Sequence, residues 1–187
     1  MIEDDHLGPL AGSELHTTAL GLERWAATRS VAKALGPDLR LAVLAGDPRT
    51  VARVQGRQQC GPGWVSHILQ TLVLNLWSDP EVQELTARAR VTYAERREGF
   101  LRCLRREGVR ATGATGLNVW VPVEDETGVV GALLQRGWVL APGAPHRLAG
   151  SSPAVRVTTA TLDADEAGAL ARDLAEVLAP ARSSRSG

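Results

Sequence analysis

The chain has 187 residues, 44% of them hydrophobic, and its 21 basic and 21 acidic residues balance to no net charge. That is enough apolar material for a packed core and one or two small domains, while neutrality disfavours a nucleic-acid or polyanion binder working through bulk electrostatics. The apolar stretch Ile68 to Trp77 is too short and too interrupted to span a bilayer, and Met1-Ile2-Glu3-Asp4-Asp5 lacks the basic-then-apolar pattern of a leader, so a cytoplasmic protein without a membrane partner is expected. Cys60 and Cys103 are isolated, which predicts buried free thiols and no metal site.

In chain order, Ile2 and a run of acids read as the end of a strand, as though part of a larger domain belonged before them. Gly8 to Gly21 is rich in Gly, Ser and Thr and predicts a loop with a short helix; Arg24 to Ser30 predicts a strand entering a turn. Leu39 to Leu44 is a second strand, ended by Gly46-Asp47-Pro48, where Asp47 caps a helix running toward Gln58 with Pro48 at its first position. After Gly61-Pro62-Gly63, Trp64 to Trp77 is apolar enough to predict a buried helix, and Ser78-Asp79-Pro80-Glu81 starts another. That one is long, about Glu81 to Glu107, amphipathic, and closed by Gly108. An α+β pattern follows: strand Leu117 to Val123, helix Glu126 to Arg136, strands Trp138 to Leu140 and Ala154 to Thr159, and a helix Ala164 to Leu178 capped by Asp163. Residues 180–187 are Ser/Arg-rich and predict disorder, giving three segments: 1–77, 78–180 and 181–187.

Among 20 arginines there is one lysine, Lys33. Only a primary amine forms an imine with an aldehyde cofactor, so its setting invites a chemical reading, although GC-rich coding also thins out lysines. Ser30 and Arg40, three residues before and seven after, are placed for a tight turn to bring both to one phosphate; they also read as a turn cap and a solvated strand residue. Asp4 and Asp5 alternate, so only one of them can face a ring nitrogen, and both also read as an acidic loop. Arg156, among the apolar residues of Ala154-Val155-Arg156-Val157, faces either a cleft that takes a carboxylate or water. Asn118 and Trp120, beside Gly116, are candidates for a pocket wall, though tryptophan more often belongs to a core.

Taken in order, Ile2-Glu3-Asp4-Asp5-His6, Arg29-Ser30-Val31-Ala32-Lys33-Ala34-Leu35-Gly36-Pro37-Asp38-Leu39-Arg40, Gly63-Trp64-Val65-Ser66-His67-Ile68-Leu69-Gln70, Tyr93-Ala94-Glu95-Arg96-Arg97, Gly116-Leu117-Asn118-Val119-Trp120 and Val155-Arg156-Val157 resemble the C-terminal half of the aminotransferase-like domain of MocR-type GntR regulators, and hence fold-type I pyridoxal-phosphate enzymes. The resemblance implies an α/β fold, a partial large-domain sheet followed by a small α+β domain. It implies pyridoxal 5'-phosphate as cofactor, Lys33 as the catalytic Schiff-base lysine, Ser30 and Arg40 as phosphate ligands, Asp4 as partner of the pyridine nitrogen, and Arg156 as the clamp on the substrate carboxylate, with Asn118 a further substrate-binding candidate. His6 stands where many members carry a tyrosine beside the phenolic oxygen, and Ala32 where a serine is usual; a histidine still donates there. Members of the family carry a winged helix and the first half of the cofactor domain ahead of the position of Asp4. The resemblance therefore implies a truncated or split aminotransferase acting on an amino acid or keto acid when a protein partner or homodimer supplies the missing half, or alternatively a non-catalytic sensing or interaction remnant of a regulator. It implies no direct nucleic-acid binding by this chain.

Overall fold

The computed structural model describes residues 1–11 and 22–179, which form a mixed α/β structure in two compact units, Met1–Val91 and Thr92–Gly187. The division falls inside the long helix, whereas the sequence places a boundary where that helix starts. The predicted loop at 12–21 and the predicted disorder at 180–187 lie outside the described residues.

In the first unit, β1 (Ile2–Asp5) runs parallel to β2 (Ala26–Ser30), which pairs antiparallel with β3 (Ala42–Gly46). The register sets Asp4 beside Thr28, and Ser30 beside Ala42. β3 begins later than the sequence suggests. Arg40 and Leu41 donate their amides to the carbonyls of Asp38 and Leu39, a tight turn that precedes pairing. Between β2 and β3 lies the one-turn helix α1 (Ala32–Leu35), followed by Gly36 at φ +133°, a region closed to most side chains.

At the other end of the hairpin, Asp47 is buried and accepts from the amides of Trp25, Arg49 and Thr50 and from the Thr50 hydroxyl. These bonds hold its carboxyl far below the usual range, the Thr50 hydroxyl contributing most. One side chain thus caps α2 (Pro48–Gln59) and pins the start of β2, as the predicted cap requires. Gly46 is obligatory here, because a Cβ would lie 2.8 Å from the Trp25 carbonyl oxygen.

The next helix, α3 (His67–Ser78), is capped by Ser66. It is not the buried helix its composition predicts. Only Val73 is buried, while Trp64, Ile68 and Leu74 are 72%, 81% and 62% exposed, because the small sheet of this unit does not cover that side. Cys60 is likewise exposed rather than buried, and Cys103 is half-buried; both are free thiols.

Helix α4 (Pro80–Arg106) carries the chain into the second unit and ends at Gly108, whose φ of +74° breaks the helical path. There β4 (Asn118–Pro122) pairs antiparallel with β6 (Ala154–Thr158), which also pairs with the two-residue β5 (Ala141–Pro142), in the order β4-β6-β5. Helices α5 (Glu126–Gln135) and α6 (Ala164–Leu178) complete the unit, and α6 opens with the predicted Asp163 cap, here a capping box with Glu166. Alternation sends Val119, Val121, Val155 and Val157 into a core with Phe100, Leu104, Leu133, Leu170 and Leu174. Asn118, Trp120 and Arg156 therefore occupy the opposite face of the sheet.

The strand predicted at Trp138 to Leu140 forms instead at Ala141–Pro142. Trp138 is drawn to α6, its indole donating 2.6 Å to Asp173, and Leu140 is buried in the core. The Trp138 indole, followed by Arg136, lowers the pKa of Asp173; the Ala154 and Ala144 amides and Arg147 lower that of Glu126. A carboxyl whose folded pKa lies below its unfolded value adds stability above the unfolded pKa and loses it as pH falls through the folded one. Thermal melts should thus be level from about pH 7 to about pH 5 and fall in more acid solution, and Asp173→Asn should flatten that fall. An unchanged acid profile in the variant contradicts this.

Among the described residues no helix is long and apolar enough to cross a membrane, and no group of three His, Cys, Asp or Glu is placed to hold a metal.

Candidate functional site

The strand registers gather five of the sequence-predicted residues at one end of the first unit's sheet. β1 and β2 are parallel, so Asp4, His6 and Ser30 lie toward the same end, and β3 enters there, two residues after Arg40. The turn carrying Lys33 leaves β2 at that end.

Alternation separates the two acids. Asp5 accepts from the amides of Leu7 and Gly8 and pairs with Arg29 at 3.2 Å, so it serves the backbone turn. Asp4 lies on the other face, where the Thr28 hydroxyl donates to it at 2.5 Å and His6 Nε2 sits 2.9 Å away. The Thr28 hydroxyl first, and then His6, lower its pKa, so Asp4 is ionised at neutral pH. Thr28 is a residue that sequence reasoning passed over. Its signal was present, since in a strand from Ala26 to Ser30 it shares a face with Ser30.

Ser30 Oγ accepts from the Ala32 amide at 3.3 Å, fixing the first bend of the lysine turn. Lys33 and Arg40 are both exposed, and neither side chain has a hydrogen-bond or ion-pair partner among the described residues. The structure records no contact joining Ser30, Lys33 and Arg40 to one another; what they share is the sheet end.

Pyridoxal phosphate, the cofactor implied by the sequence, presents an aldehyde, a phosphate dianion and a protonatable ring nitrogen. Against these the first unit sets an unpaired primary amine, an unpaired guanidinium beside a hydroxyl-bearing turn, and a carboxylate held ionised. The donor set fits the group.

In the second unit, Arg156 pairs across the strands with Trp120 and Ala141, and Asn118 with Thr158. The Thr158 hydroxyl donates to Asn118 Oδ1 at 3.0 Å. Arg156 makes no ion pair among the described residues, and its Nε is buried without a partner. Trp120 is half-buried and meets His146 edge-on, ring centroids 6.3 Å apart. Arg156 also borders a cavity of about 320 Å³ with Leu140, Val157, Thr158 and Glu166.

No family model matches the chain. It is 36% identical over 180 residues to the vitamin B6 salvage pathway transcriptional repressor PtsJ of Salmonella typhimurium, a match covering 95% of this chain and 42% of the repressor. Among solved structures it resembles LysN, the α-aminoadipate aminotransferase of Thermus thermophilus, complexed with N-(5'-phosphopyridoxyl)-L-leucine (TM-score 0.78, 26% identity, 95% of this chain and 49% of that one). Pyrococcus horikoshii kynurenine aminotransferase (TM-score 0.77, 21% identity) and an archaeal alanine:glyoxylate aminotransferase (TM-score 0.80, 20% identity) share the fold, each match covering 95% of this chain and 47% of theirs. The chain thus spans less than half of the curated relative and about half of these structures. In fold it is one half of a fold-type I aminotransferase domain, and in sequence it corresponds to the C-terminal half of the aminotransferase-like domain of MocR-type regulators.

Proposed function

We propose that this chain contributes the lysine-bearing half of a pyridoxal-phosphate site that moves an amino group from an amino acid to a keto acid. The observation carrying this reading is the grouping of an unpaired Lys33, Ser30, Arg40 and an ionised Asp4 at one sheet end. Bound there, pyridoxal phosphate supplies an electrophilic aldehyde and an electron-withdrawing ring.

The residues of this chain do the rest. Ser30 and Arg40 bind phosphate oxygens, the guanidinium as a charge-assisted donor. Asp4, kept ionised by its Thr28 and His6 partners, would hold a proton on the cofactor's ring nitrogen. His6 is positioned beside Asp4 to support the same ring. With the cofactor bound, Lys33 would be the primary amine facing its aldehyde and the base that would take and return the substrate's α-proton. Within the second unit, the Arg156 guanidinium is the fork for a carboxylate, and Asn118 lies on the same sheet face.

Such a site needs further polypeptide, from the same chain or from a second subunit. The exposed Trp64, Ile68 and Leu74 support this, being too large an apolar surface to leave against water.

In the completed protein, Arg156→Ala should raise KM for the amino acid roughly 10- to 100-fold, the range for losing hydrogen bonds to a charged group. Arg156→Lys should recover only part, since an ammonium cannot fork onto a carboxylate. Unchanged KM removes Arg156 from the site.

A second reading is favoured by the 36% identity with a repressor named for vitamin B6 salvage: the same site senses the cofactor or an amino acid without turning it over. Amino-group exchange between an amino acid and a keto acid, followed by chromatography, separates the two. Turnover supports the first reading; cofactor and amino-acid binding without turnover supports the second.

A further inference from the structure

Arg97 occupies the core-facing stripe of α4, three and seven residues before the fully buried Phe100 and Leu104. Its side chain is only 8% exposed, its Nε has no partner among the described residues, and the nearest carboxylate, on Glu98, is 3.9 Å away. A buried guanidinium so thinly paired is costly, and an apolar residue would suit the stripe better if packing were its only task. The strong bond it does make is specific: Nη1 donates 2.9 Å to the Gly116 carbonyl.

Gly116 is buried at φ +76° and leads into β4. The next carbonyl, of Leu117, accepts both the amide (2.8 Å) and the hydroxyl (3.1 Å) of Thr159, which is fully buried. One residue further on either strand is the Asn118–Thr158 pair. Arg96 donates to the carbonyl of Ala160, just beyond Thr159. Consecutive arginines of one helix thus hold the chain entering β4 and the chain leaving β6.

We infer that Arg97, seconded by Arg96, is a positioning residue: it fixes the Asn118–Thr158 end of the β4/β6 pair and so sets the orientation of the carboxylate site formed by Asn118 and Arg156. This rests on the reading of those two residues as substrate-facing, so the test has one arm that needs that reading and one that does not.

The independent arm is amide hydrogen exchange in the full chain, comparing Thr159, which donates to Leu117, with Val123, which donates to Pro153 at the far end of the same strand pair. In Arg97→Met the Thr159 amide should exchange about ten-fold faster while Val123 stays unchanged, as expected for losing one local hydrogen bond. Arg97→Lys, which retains one donor, should fall between and serves as the test variant if the methionine variant does not fold. Parallel acceleration at both ends, or none, overturns the inference.

The second arm measures KM and kcat in the completed protein. Arg97→Met should raise KM several-fold with kcat little changed, and Asn118→Ala should do the same. If Asn118→Ala raises KM and Arg97→Met does not, the positioning role is overturned. If Asn118→Ala is silent while Thr159 still loosens in Arg97→Met, the reading of the carboxylate site fails and the local positioning stands.

Discussion

Replacing Lys33 with alanine should abolish the proposed amino-group exchange in the completed protein, a loss of roughly a thousand-fold or more, because the proposed nucleophile and proton carrier are removed together. The substitution leaves the fold intact. Lys33 is exposed on a one-turn helix and has no partner among the described residues, so its removal costs within about 0.5 kcal/mol. Lys33→Arg is the sharper variant. It keeps the positive charge and adds hydrogen-bond donors, yet a guanidinium does not give up its proton at neutral pH and forms no imine. Activity that survives in Lys33→Arg would mean that charge, not amine chemistry, is what the site needs. Steady-state assay beside a circular dichroism melt separates lost chemistry from lost structure.

Phe100→Ala should cost about 3–5 kcal/mol in urea unfolding followed by circular dichroism, the range for removing a buried aromatic side chain. Phe100 is fully buried among Leu104, Val119, Val155 and Leu174, the core on which the sheet bearing Arg156 is built. Alanine is the better helix former, so local propensity cannot account for the loss; the cavity must. Against a domain stability of some 5–15 kcal/mol this is a large share. A cost under about 1 kcal/mol would show that this core is not what holds the second unit together.

What the sequence revealed followed the range of the forces involved. The helix Ala164 to Leu178 and its Asp163 cap are read correctly because a capping box and an apolar stripe act within a few residues. The cap of α2 at Asp47 is legible for the same reason, but its grip on the Trp25 amide, 22 residues away, is not. The strand expected at Trp138 to Leu140 lies at Ala141–Pro142 because pairing was decided by β6 and by the pull of Asp173 on Trp138. α3 was expected to be buried because it is apolar; its exposure depends on what packs against it, which composition does not contain.

The site shows the same division. Two-residue alternation made it plain that Asp4 and Asp5 face opposite sides of the sheet, and the resemblance pointed to Asp4; that the Thr28 hydroxyl reaches Asp4 needed the partner strand. Arg97 was visible as part of the Tyr93 to Arg97 motif but without a role, because its target carbonyl, 19 residues further along, gave no local signal.

Lys33 is proposed as the amine of a pyridoxal-phosphate site, and the chain suits a direct test because Lys33 is the one lysine among its 187 residues. The measurement is to add pyridoxal phosphate to the completed protein, reduce with borohydride, and map the label by mass spectrometry. One stoichiometric label on the peptide carrying Lys33, lost in Lys33→Arg, is the expected result. A label confined to other residues, or none at all, overturns the assignment.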